Sequence, residues 1–331
     1  MKLKHSITDV PGIEVGQAQD EEALTGVTAV LCRKGAVAGV DQRGGAPGTR
    51  ETDLLKPVNM VEKVHAVMLA GGSAFGLDAA GGVMRYLEEQ KIGFDVGVAR
   101  VPIVPAAILF DLAVGRADVR PDAGMGYRAA SAASSGAVAE GNVGAGTGAS
   151  VGKIFGNAGA MKSGLGSASV DIGGGVIVGA LVAVNAFGDV VDPMRPEIVA
   201  GARSVKVGPL AIGAEDYFAN TIETLRSFAG RTVMGLATRS NTVIGVVAAN
   251  VNFTKAEATK MAQMAQDGLA RAIRPAHTML DGDTIFALAS GGKNADVSIV
   301  GAFAAEVFAE ACLRAVRAAR SAGGLPGLGG E

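Results

Sequence analysis

The sequence predicts a mixed α/β fold in which two sheets are covered by helices. Three observations carry this. Apolar stretches of strand length occur singly and as a pair, over residues 170–187. Long segments with helical periodicity follow, yet strands and helices do not alternate strictly as βαβ units. Glycine is abundant, at 49 of 331 residues, while aromatics make up 4% and Trp is absent. Such a composition suits layers whose elements approach closely.

Residues 27–32 and 64–70 read as buried strands. The second runs into Gly71-Gly72-Ser73 and then a helix from 74 to about 90, with Ser73 as its N-cap. Residues 122–139 read as a helix weakened by Gly124 and Gly126, and 141–166 as a glycine-dense loop. Residues 204–239 are poorly patterned and broken by Gly208-Pro209, Gly213 and Gly230, which predicts a mobile connector. A strand over 243–253 follows. Thr254 and Glu257 then form a capping box that opens a helix. Met261, Met264, Ala265, Leu269, Ala272 and Ile273 fall at helical spacing, and Pro275 ends it. Residues 284–289 read as a strand and 297–319 as an Ala-rich helix. One domain is expected over 1–320, with a disordered glycine-rich tail over 321–331.

Composition removes several function classes. A formal net charge of −2 offers no basic face for nucleic acid. Cys32 and Cys312 are too far apart in sequence to suggest a disulfide framework, and read as buried small residues. The opening MKLKHSITDV has lysines but no apolar run after them, so no signal peptide is expected. The apolar runs 101–110 and 176–184 are too short to cross a bilayer. A soluble, cytoplasmic protein is expected.

Two motifs imitate known sites and fail on detail. Gly71-Gly72-Ser73-Ala74-Phe75 has the outline of a nucleophile elbow, but Phe75 stands where glycine is needed. Residues 146–153 resemble a phosphate loop, but Thr147 replaces the first glycine and Ile154 the magnesium-binding hydroxyl. Histidines number three. His277 lies close to Asp281 and Asp283, so it is either a structural turn residue or part of a metal site without diagnostic spacing.

What remains centres on Asn241-Thr242, at the start of the run Thr-Val-Ile-Gly-Val-Val. Thr242 is either an ordinary β-branched strand opener or a nucleophile. Cutting the chain before it would give one residue both a hydroxyl and a freed α-amine to act as base. Asp281-Gly282-Asp283 is either a solvated turn or two carboxylates on one side of an extended chain, which would call for a cation or N–H donors nearby. The Thr242 ammonium and Lys153 are the available cations. Asn185, at the end of an apolar run, is either an oxyanion donor or a strand-end amide satisfied locally.

Several stretches, taken in order, resemble a known family: 69–78 (LAGGSAFGLD), 144–153 (GAGTGASVGK), 182–185 (VAVN), Asn241-Thr242, and 273–284 (IRPAHTMLDGDT). They resemble the L-aminopeptidase/D-esterase (DmpA-type) family of self-cleaving N-terminal-nucleophile hydrolases, with the greatest likeness to 6-aminohexanoate-oligomer (nylon-oligomer) endohydrolases. The resemblance implies a four-layer αββα sandwich. It implies autocatalytic cleavage at Asn241-Thr242 into an α-chain of residues 1–241 and a β-chain of 242–331 that stay together. It implies Thr242 as nucleophile beside Asp281, Asp283, Asn185 and Lys153, a linear amide as substrate, no cofactor or metal, and a homo-oligomer, a tetramer of αβ units. Many aminopeptidase members carry a serine nucleophile, with serine and glutamate where this chain has Asp281 and Asp283. The Thr/Asp/Asp set is what favours the nylon-oligomer branch.

Overall fold

The computed structural model describes residues 3–195, 197–207, 210–212, 217–227 and 241–330. Residues 208–209, 213–216 and 228–240 of the expected connector lie outside the described residues. The part described is not patternless. It contains the paired strands Val205–Val207 and Leu210–Ile212 and a short helix, Thr221–Arg226, capped by the Asn220 side chain.

Nine strands form one hydrogen-bonded network. They are β1 (Glu14–Asp20), β2 (Thr25–Gln42), β3 (Thr49–Arg50), β4 (Lys63–Ala70), β5 (Ala106–Ile108), β6 (Leu165–Asp171), β7 (Ile177–Asn185), β8 (Thr242–Val251) and β9 (Thr284–Lys293). Their order is β6-β7-β8-β9-β2-β4-β5-β3, with β1 also on β2. The 18-residue β2 joins the halves. Its first part pairs with β1 and β4, its last part with β9, and the register breaks between Leu31 and Ala36. The two expected sheets are therefore continuous through one long strand.

Three buried clusters define the layers. Leu181, Ile244, Val246 and Phe286 from one half meet Val67, Leu69 and Ala107 from the other, forming the middle core. On one outer face, Val243, Val247 and Ala249 pack against Met261 and Leu269 of α3 (Lys255–Ala272) and Phe308 and Cys312 of α4 (Val297–Arg317). On the other, Ala29 and Met68 pack against Val83 and Leu87 of α1 (Ala79–Glu89) and Met125 and Ala129 of α2 (Ala123–Ser131). The result is the helix–sheet–sheet–helix sandwich. β8 is buried along its whole length on both faces, which is why its sequence is a continuous apolar run rather than an alternation. The Thr254/Glu257 capping box is present at the start of α3.

Three details depart from expectation. Ser73 is not a helix N-cap. It has φ +55° and opens a 3-10 turn, Ser73–Asp78, and α1 starts only at Ala79. Buried Asp111 fixes this turn instead, accepting Gly72 N–H at 2.7 Å, and a Cβ on Gly71 would lie 1.9 Å from its Oδ2. The helix expected over 122–139 ends at Ser131. The C-terminal segment over 321–330 is packed rather than disordered: Leu325 is buried, Pro326 O accepts Lys162 N–H at 2.8 Å, and Gly329 N–H bonds Ala319 O. One buried leucine and satisfied backbone groups hold a segment whose composition reads as loose. Cys32 and Cys312 are free and buried. Among the described residues no helix is long and apolar enough to cross a membrane.

Candidate active site

Thr242 opens β8 directly opposite Asn185, the last residue of β7. Asn241 pairs with Asp281, and Gly282 N–H donates to the Asn241 carbonyl at 3.0 Å. The Thr242 hydroxyl donates to the same carbonyl oxygen. A hydroxyl, the carbonyl of the preceding residue and an N–H that polarises that carbonyl thus converge. Only glycine fits at 282, since a Cβ there would stand 2.5 Å from Ala46 O and 2.9 Å from Thr242 Oγ1.

Topology explains why Asp281-Gly282-Asp283 lies here. β9 runs parallel to β8, with Thr284 opposite Ile244. Parallel neighbours begin at the same edge, so the residues leading into β9 flank the start of β8. Asp283 Oδ1 accepts Val243 N–H at 2.8 Å, and its Oδ2 accepts His277 N–H at 3.1 Å and faces His277 Nδ1 at 2.8 Å. Asp281 Oδ2 accepts Thr278 N–H at 2.9 Å and its hydroxyl at 2.5 Å, and Oδ1 accepts Phe187 N–H at 3.4 Å. Burial, aided by the neighbouring charge of Asp283, pushes Asp281 up to about 6.

Lys153 and Asn185 complete the cluster. Lys153 Nζ donates to Asn185 Oδ1 at 2.6 Å and to its carbonyl at 3.1 Å. Ser150 N–H also meets Asn185 Oδ1, at 3.1 Å, and Asn185 Nδ2 donates to Phe110 O at 2.9 Å. Burial pushes Lys153 down to about 7, against the opposing pull of Asp281 and Asp111. The loop bearing Lys153 has the opposite polarity to a phosphate cradle. Its carbonyls at Gly146 and Ala149 accept from the buried ammonium of Lys162. All five predicted side chains are buried and brought together. Among the described residues no group of three or more His, Cys, Asp or Glu side chains is arranged to hold a metal.

Sequence reasoning missed Gly282, Thr278, Ser150 and the Phe110 carbonyl as parts of this cluster. It had a signal for Gly282, the glycine between two aspartates. Thr278, Ser150 and the Phe110 carbonyl act through backbone groups or short hydroxyls, which carry no mark in a single sequence.

The sandwich is an Ntn-hydrolase fold. The L-aminopeptidase D-Ala-esterase/amidase from Ochrobactrum anthropi, described as a variant of that fold, matches with a TM-score of 0.71 at 20% identity, over 98% of this chain and 88% of that chain. The chain belongs to peptidase family S58, whose model matches residues 5–328. It is 45% identical to an uncharacterized aminopeptidase of Mycobacterium leprae, over 97% of this chain and 92% of that protein. It is 30% identical to a 6-aminohexanoate-oligomer endohydrolase of Kocuria sp., over 93% of this chain and 85% of that protein. The protein is a hydrolase acting on amide bonds.

Proposed function

We propose that this protein cleaves itself between Asn241 and Thr242 and then uses the new N-terminal threonine to hydrolyse linear amides. The observation that carries the proposal is the convergence of the Thr242 hydroxyl and the Gly282 N–H on the Asn241 carbonyl. In self-cleavage, Oγ1 bonds to the Asn241 carbonyl carbon while the C–N bond to Thr242 breaks. The hydroxyl proton passes to the departing nitrogen. Water then hydrolyses the resulting ester, leaving a carboxylate on Asn241 and a free amine on Thr242. Gly282 N–H stabilises the oxyanion of this first stage.

In turnover, the amine takes the hydroxyl proton as Oγ1 attacks the substrate carbonyl, and gives it to the substrate's nitrogen as the C–N bond breaks and the amine product leaves. An α-amine titrates near about 7.7–8.0, suited to proton transfer close to neutral pH. Asp283 holds the amide of Val243, the residue after Thr242, and the two carboxylates balance the charge of the new ammonium. Lys153 and Ser150 orient the Asn185 amide, which donates to the oxyanion. Water releases the acyl group from Oγ1.

The substrate class is a short linear amide, with 6-aminohexanoate oligomers as the type case suggested by the Thr/Asp/Asp set. The higher identity to relatives named aminopeptidases, 45% against 30%, favours a second substrate class: short peptides or aminoacyl amides and esters, including β-peptides. The protein acts in the cytoplasm as a homo-oligomer of αβ units, a tetramer by family resemblance. Intact-mass analysis of wild-type and Thr242→Ala proteins, followed by a panel of these amides, tests the proposal. Wild type is expected as two fragments with Thr242 leading the second, and Thr242→Ala as one inactive chain. A Thr242→Ala protein that still divides at this bond would sink it.

A further inference from the structure

One turn grips both carboxylates of the site. The consecutive residues His277 and Thr278 each give a backbone N–H and a side-chain group to a single carboxylate oxygen, His277 on Asp283 and Thr278 on Asp281. The other oxygen of each carboxylate takes a backbone N–H, Asp283 from Val243, the residue after Thr242, and Asp281 from Phe187, two residues after Asn185.

His277 carries two unfavourable features in doing so. Its φ is +57°, a left-handed conformation that is strained for a non-glycine residue. Its Nε2 is buried with no hydrogen-bond partner among the described residues. A turn that needed only to reverse the chain would be better served by glycine or asparagine, which would relieve the strain and remove the buried ring nitrogen. What histidine adds is Nδ1, 2.8 Å from Asp283 Oδ2. Asp283 in turn bonds the amide of the residue that follows Thr242.

We propose that His277 is a positioning residue which, by holding Asp283, fixes the start of β8 so that the Thr242 hydroxyl stays aligned for attack. The role rests on Thr242 being the nucleophile. His277 neither touches the reacting atoms nor takes the threonine proton.

Three variants test this: Thr242→Ala, His277→Leu and His277→Asn. For each, the rate at which intact chain yields two fragments is followed, with the melting temperature. For processed protein, kcat and KM are measured on an aminoacyl p-nitroanilide. His277→Leu is expected to slow self-cleavage and kcat roughly 100-fold, the scale of a small misplacement of a reacting group. KM should stay within about threefold, since ground-state binding is untouched. Asparagine presents an amide N–H close to the position of Nδ1. His277→Asn is therefore expected to recover at least about tenfold of the loss at the same melting temperature.

The proposal is overturned if His277→Leu divides and turns over as wild type does. It is also overturned if only KM changes, or if both variants are equally slow at matching melting temperatures. Should His277→Leu fail to fold, His277→Asn decides alone: within about tenfold of wild-type kcat supports the role, and a larger loss removes it. Division of the chain in Thr242→Ala is a separate failure, of the parent mechanism.

Discussion

At the scale of single residues, two carboxylates that look alike in sequence sit in different surroundings. Asp281 is raised from its ordinary 3.8 to about 6, by burial first and then by the charge of Asp283. If its ionised form holds the Thr242 ammonium, turnover falls as pH drops through about 6. Asp281→Asn should flatten that limb at a lower rate, and a limb that persists unchanged would assign it to another group. Stability follows with the opposite sense. A carboxyl whose pKa is higher folded than unfolded favours the fold fully below its unfolded value, and that contribution is lost as pH rises through about 6. In the uncut Thr242→Ala background, adding Asp281→Asn should therefore help stability more at pH 8 than at pH 4. The difference should be on the order of 2 kcal/mol, read from urea unfolding at the two pH values.

At the scale of elements, the site depends on α3, which connects the parallel strands β8 and β9 and so brings Thr242 and Asp283 to one edge. Its capping box is exposed and remote from the chemistry. Thr254→Ala is expected to cost about 1 kcal/mol of stability and leave self-cleavage unchanged. Gly245 is different, because a Cβ there would lie 2.7 Å from the Phe308 ring. Gly245→Ala should cost about 1–3 kcal/mol by overpacking and slow processing, because it displaces β8 three residues from Thr242. Denaturant unfolding of uncut protein with a time course of fragment formation separates the two. Equal behaviour of these variants would mean that the strand, not only its first residue, is tolerant of displacement.

At the scale of the whole molecule, the proposed cut falls where it cannot release either fragment by itself. The sheet order interleaves the products: β7 and β2 belong to residues 1–241, while β8 and β9 between them belong to 242–331. Val243, Val247 and Phe308 of the second fragment share a core with Val182 and Val184 of the first. Wild-type protein should therefore give two bands on a denaturing gel and one native species by light scattering. Separation of the fragments in native buffer would contradict the interleaved order. The mass of that species also tests the tetramer.

The sequence by itself determined the element types that matter most here. The continuous apolar run of β8, the capped helix after it and the Asp-Gly-Asp ahead of β9 are all written in local pattern. The five polar residues of the site were singled out by family resemblance rather than by local pattern, and the structure buries all five. The sequence did not determine that Gly282 donates to the Asn241 carbonyl, that one turn holds both carboxylates, or that a glycine-rich tail packs. Nor did it reveal that the two expected sheets share β2. Most of those depend on backbone N–H and C=O groups, which all residues but proline carry alike. Only the tertiary structure, by choosing which strands run parallel and which loops face each other, decides where such groups point.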